Sequence, residues 1–233
     1  MLFGRHMGGK AFPGLQDIDQ AARIELAQGR AQLVLHRRRD TGQWEIASAE
    51  DAPASADRIA LFLQDLAALK PGEGRAPPSG EPMTLRVSDR EGKALAEAEL
   101  WPGVLRLAAG GPSASTGLRM PSLDPAQWSA LEAPRIAAIR AILRPAAGGL
   151  QPVAGPEAAA LEAALSRLQP DAWVPARQLN WAGATYYQIE TDAGLIEAQV
   201  TDTPDGRFVR LTAESLPGIR RLRAFAFRLP DAP

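Results

Sequence analysis

Acid–base and nucleophilic chemistry need particular side chains, and this chain holds few of them. It has no cysteine and only two histidines, His6 and His36. The lack of cysteine removes thiolate nucleophiles, thiolate metal sites and disulfides together. It does not fix the compartment, because an oxidising periplasm permits disulfides without requiring them. A hydrolase triad sets a histidine base between a nucleophile and a carboxylate, and no nucleophile-elbow motif stands near His36. The pairs Gly110-Gly111 and Gly148-Gly149 lack the Lys-Ser/Thr context of a phosphate loop and read as loops. Glu97 and Glu99 fall on one face of a strand-like run, but alternation along a half-exposed strand produces such carboxylate pairs routinely. Asp202 and Asp205 flank Pro204 in a Pro-Asp-Gly turn, which explains them without a cation. The expectation is therefore no catalytic residue, no metal ligand and no cofactor. A hydrolase working through carboxylates alone ranks last among the readings.

Two arginine clusters are the candidate partner-binding residues. Arg37, Arg38 and Arg39 continue a strand into a hairpin, and Arg220, Arg221 and Arg223 precede a C-terminal strand carrying Phe225 and Phe227. A phosphate-rich partner or a lipid headgroup is one use for them; a polar edge that deters strand pairing is the plainer one. Whole-molecule charge gives no steering, since 26 basic residues face 27 acidic ones and the formal charge is −1. Nucleic acid is not expected as a partner. Of the five tryptophans, Trp44, Trp101, Trp173 and Trp181 lie in strand-like runs where core packing is the default over a stacking platform for sugars.

Short strands and one helix must position these residues. Arg23 to Leu26, Gln32 to Leu35 and Trp44 to Ile46 read as a three-strand meander. Ser55 caps a helix whose Ile59, Phe62, Leu63, Leu66 and Leu69 recur at three- and four-residue spacing before Pro71. Three strands follow, Thr84 to Val87, Ala94 to Trp101 and Val104 to Leu107, with Arg90-Glu91-Gly92 turning the first pair. Asp124-Pro125-Ala126 opens a short helix with Trp128 and Leu131. Further on, Pro156 opens a helix with Ala158, Leu161, Leu165 and Leu168 on one face, closed by Gln169-Pro170. Strands are then expected at Trp173 to Leu179, Tyr186 to Glu190, Leu195 to Val200 and Phe208 to Leu211, the last two joined by Thr203-Pro204-Asp205-Gly206.

The second half echoes the first. Ile59, Phe62, Leu66, Leu69 and Pro71 lie 99 positions before Ala158, Leu161, Leu165, Leu168 and Pro170. A period near 100 residues points to duplicated small domains rather than a solenoid, whose units run about 20 to 50 residues. The expected fold class is α+β: two tandem repeats, each a mainly antiparallel sheet packed with one principal amphipathic helix. Residues 12–134 form the first repeat and 135–233 the second. Residues 1–11 read as a cloning remnant or the end of an anchor region.

With these segments in place, the chain resembles an uncharacterised bacterial domain-of-unknown-function family, number four-three-four-zero, of envelope proteins encoded beside gliding-motility-type ABC exporter subunits. The resemblance begins at Phe12-Pro13-Gly14-Leu15 and runs through Ala22-Arg23-Ile24-Glu25, the Trp44 strand and the helix after Ser55. It continues through 179–184 and the Asp192-Ala193-Gly194-Leu195 hairpin to 225–231. The approach to the first helix, Ala54-Ser55-Ala56-Asp57, departs from the family's tyrosine-proline-alanine-aspartate, and the loop after that helix is shorter. The resemblance implies a periplasmic or extracytoplasmic protein held in the inner membrane by one N-terminal helix. It implies no catalytic residues. The function expected is a non-catalytic accessory or adaptor domain that binds ABC exporter subunits, with a glycan- or lipid-binding envelope module as the alternative.

Overall fold

A computed structural model describes residues 10–70, 72–107, 113–134, 136, 138–169, 172–214, 216, 219 and 222–230. The chain divides into two compact units, Met1–Ala130 and Leu131–Pro233. Among the described elements, each contains an antiparallel sheet and a long α-helix, so the fold is α+β. No helix among the described residues is long and apolar enough to cross a membrane.

In the first unit, β1 (Arg23–Gln28), β2 (Ala31–Arg37) and β3 (Trp44–Ile46) form the expected meander, and a two-residue strand, β4 (Ala52–Pro53), extends it. Alternation places Ile24, Leu26, Leu33, Leu35 and Ile46 in the core with no exposed surface. Helix α1 (Ala56–Ala68) begins where the Ser55 hydroxyl accepts from the Arg58 N–H at 3.4 Å. It buries Ile59, Leu63 and Leu66, while Phe62 sets its ring edge-on to Trp128 at 5.2 Å. The remaining strands are β5 (Met83–Ser88), β6 (Ala94–Trp101), β7 (Val104–Arg106) and β8 (Ser113–Ser115). The sheet order is β4-β3-β2-β1-β5-β6-β7-β8, so β5 closes against β1 rather than beside its predecessor in sequence. Residues 72–75 run beside β8: Gly72 and Arg75 N–H groups donate to Ser115 and Ser113 carbonyls, and Ser115 N–H to Glu73.

The Phe-Pro-Gly-Leu segment has a physical explanation. Phe12 and Leu15 are buried, Pro13–Leu15 is one 3₁₀ turn, and that turn packs on β6. A Cβ on Gly14 would stand 2.5 Å from the Leu95 carbonyl oxygen, so only glycine allows the approach.

The second unit uses β9 (Ile139–Ala146), β10 (Gly149–Pro152), α2 (Gly155–Leu165), β11 (Trp173–Pro175), β12 (Thr185–Thr191), β13 (Gly194–Thr203), β14 (Gly206–Thr212) and β15 (Phe225–Arg228). Their order is β10-β9-β12-β13-β14-β15-β11. Its core holds Tyr187, Ile189, Ile196, Ala198, Val209 and Phe227.

Several expectations are corrected in detail. Gly149 opens β10 rather than a loop, at φ 113°, a conformation glycine tolerates. Helix α2 stops at Leu165, so half-buried Leu168 lies beyond it; only Leu161 and Leu165 are buried, and alanines fill much of the rest. The Trp173 strand ends at Pro175 and becomes a 3₁₀ turn over Ala176–Gln178. The Asp124 helix is likewise a 3₁₀ turn, Pro125–Trp128. Pro71, Pro170 and the Gly110-Gly111 pair lie outside the described residues.

Candidate functional site

The polar residues of the first unit sort into two places by strand alternation. On the open face of the sheet, Arg86 of β5 stands 3.5 Å from Glu97 of β6, and Arg106 of β7 stands 3.0 Å from Glu99. Arg106 also lies over the Trp101 ring at 5.1 Å. The paired carboxylates Glu97 and Glu99 thus each face a guanidinium across the ladder, which is the arrangement that stabilises antiparallel neighbours.

At one end of the sheet, the β2–β3 and β5–β6 turns enclose a shallow cleft of about 570 Å³. Arg37, Arg38 and Arg39 line it together with Arg23, Asp89 and Arg90. Their partners differ. Arg38 grips Asp40 through both carboxylate oxygens at 2.9 and 2.6 Å and reaches Glu45 Oε1 at 3.4 Å. Those bonds keep Arg38 firmly protonated and hold the Asp40 carboxyl below its usual range, the Arg38 hydrogen bond being the main cause. Arg23 pairs with Glu25 at 2.8 Å. Arg37 instead donates to the Gly42 carbonyl at 2.9 Å and the Asp19 carbonyl at 3.2 Å, which fixes the guanidinium without neutralising it. Among the described residues Arg39 donates to the Arg90 carbonyl alone, at 3.4 Å. Among the described residues no carboxylate pairs with Arg37, Arg39 or Arg90.

The plainer reading of the first cluster, a guarded sheet edge, does not hold. Strand β2 is paired on both sides, by β1 and β3, so Arg37 to Arg39 protect no edge. The second cluster is dispersed differently: Arg223 is exposed in the second unit, with its carbonyl accepting from Arg210 at 3.0 Å, and Arg220 and Arg221 lie outside the described residues.

Trp44, Trp101, Trp128 and Trp173 are buried, and half-buried Trp181 donates its indole N–H to the Ala176 carbonyl at 2.7 Å. They fill cores, so no cluster of exposed tryptophans exists among the described residues to stack against sugars. Asp202 is exposed and sits 3.6 Å from Arg207, across the β13–β14 hairpin.

Sequence reasoning missed one convergence. Cross-strand register places His36 of β2 opposite Glu45 of β3, and the turn before β4 brings Asp51 to them. One ligand atom from each lies within 4.8 Å of the others. Spacings of nine and six residues carry no metal signature, so the signal was legible only through the β2–β3 pairing.

In the second unit, the buried Tyr187 hydroxyl donates to Glu157 Oε1 at 2.9 Å, and Arg144 reaches the same oxygen at 3.1 Å. Burial, then Glu157, pushes the Tyr187 phenol up; the same causes, with Glu197 as the partner, push Tyr186 up to about 12. Comparison of the chain with known protein families, with curated proteins and with solved structures finds no match.

Proposed function

We propose that this protein is a non-catalytic accessory domain of the bacterial envelope that binds the subunits of an ABC-type exporter, and that the arginine-lined end of its first sheet is the contact surface. The observation that carries the reading is the cluster of Arg37, Arg39 and Arg90, three guanidiniums with no carboxylate partner among the described residues, beside a sheet face whose charges are paired. A cationic surface of this kind speeds encounter with an acidic partner and selects it, without requiring chemistry. The resemblance at Phe12-Pro13-Gly14-Leu15 and along the strands supports the exporter as partner. It also supports an extracytoplasmic location, with an N-terminal membrane helix preceding residue 12.

The two units are a tandem duplication on this reading. Supporting it, β2-β1-β5-β6-β7 and β10-β9-β12-β13-β14 have the same strand order, and α1 and α2 begin 99 positions apart. Each unit is then a mainly antiparallel sheet with one principal helix.

Co-purification of the membrane-anchored protein with the exporter subunits encoded beside it tests the function. Association that weakens as salt rises is expected. Absence of association, with the anchor intact, overturns the proposal.

A further inference from the structure

We propose that His36, Glu45 and Asp51 form a binding site for one divalent first-row transition-metal ion on the first unit. The site borders the proposed contact surface, since His36 lines the same cleft, but its ligands are not the unpaired arginines.

Alternation along the end of β2 and into the residue after it puts His36 and Arg38 on one face and Arg37 on the other, and the β2–β3 register sets His36 against Glu45. The two carboxylate oxygens of Glu45 are divided between neighbours. Oε1 faces Arg38 at 3.4 Å, and Oε2 faces His36 Nε2 at 3.4 Å. Arg38 is itself held by Asp40, so it acts as an outer partner that aims the carboxylate, the role that second-layer groups play around metal ligands. The Arg38–Asp40 pair adds no net charge, which leaves the two negative charges of Glu45 and Asp51 to meet a dication.

Asp51 completes the set from an exposed turn, where Glu50 and Asp51 both have positive φ, at 56° and 53°. The ligand atoms lie within 4.8 Å of one another, so closing on an ion at bonds of about 2 Å requires displacements of about an ångström. Asp51 is free to supply most of that movement because it is exposed. One imidazole nitrogen with two carboxylates suits zinc, manganese or ferrous iron and leaves open positions for water; the nitrogen disfavours magnesium and calcium.

Titration of zinc sulfate into the full chain, followed by calorimetry, tests the site, with His6→Ala as the background because His6 is the other histidine. One equivalent is expected to bind. Affinity is expected to fall more than about tenfold in His36→Ala and in Asp51→Asn, and magnesium is expected not to compete. Asn accepts a left-handed backbone readily, so Asp51→Asn keeps the fold while removing the charge. Zinc affinity that is unchanged in both variants, or no binding in the His6→Ala background, overturns the proposal.

Discussion

The helices of the two units start and anchor differently although their sequences run in step. In the first unit Ser55 caps α1, and Arg58 reaches from its first turn to the Gln127 carbonyl at 2.7 Å. Ninety-nine positions later the capping residue is Ala154, which has no side-chain acceptor, and the counterpart of Arg58 is Glu157, bonded to Tyr187 and Arg144. One helix is tied to the 3₁₀ turn Pro125–Trp128 and the other to strands β9 and β12. The sheets diverge in the same way. The first is extended beyond β2 by β3 and β4, which carry Glu45 and the approach of Asp51; the second ends at β10, and its additions, β15 and β11, lie past β14. Sheets of similar strand order therefore carry different edges, and among the described residues the second unit has no strands placed like β3 and β4 to build a matching polar convergence.

The comparison is tested most severely in the cores. Leu66 and Leu165 occupy matched helix positions and are both fully buried. Leu66→Ala and Leu165→Ala should each cost about 2–5 kcal/mol in denaturant unfolding. Two clearly unequal costs would break the matching of the helices.

Gly14→Ala should lower the stability of the first unit by about 1–3 kcal/mol, because the new methyl group meets the Leu95 backbone. Gly117→Ala has open space and serves as the neutral control.

Alkaline pH separates the units. Both tyrosines of the chain, Tyr186 and Tyr187, lie in the second unit. Their phenols are raised in the fold, so the unfolded chain loses those protons first, and stability present below about pH 10 falls as pH climbs toward 12. Unfolding followed at pH 8 and pH 11 should show this loss in the second unit, and Tyr186→Phe with Tyr187→Phe should flatten it.

The smallest effects lie at the caps. Ser55→Ala should cost about 1 kcal/mol of thermal stability, and Ala154→Ser should gain up to about 1 kcal/mol in the second unit. A gain at 154 would show that the missing cap is the difference between the two starts.

Much of this fold was legible from local pattern. Period-two alternation marked β1, β2, β5, β6, β12, β13 and β14, and the Ser55 cap with its apolar spacing marked α1. Elements made by tertiary pairing were not legible: β4, β8 and β10 are two to four residues long and have no alternation to read. The end of α2 was misplaced by one turn because Leu168 continues the apolar spacing after the backbone has left the helix. For the candidate site, the run Arg37-Arg38-Arg39 was visible as charge. Its division into a neutralised Arg38 and uncompensated Arg37 and Arg39 was not, since it depends on Asp40, Glu45 and the Gly42 carbonyl.

In-cell photocrosslinking reports directly which end of which unit meets a partner. A photoreactive residue replacing exposed Arg39 is compared with one replacing exposed Leu150 on β10 of the second unit, in the full-length protein expressed in cells. A contact surface at Arg37, Arg39 and Arg90 predicts a crosslink to an exporter subunit from position 39 and none from position 150. Crosslinking from position 150 alone, or from neither position, would contradict it.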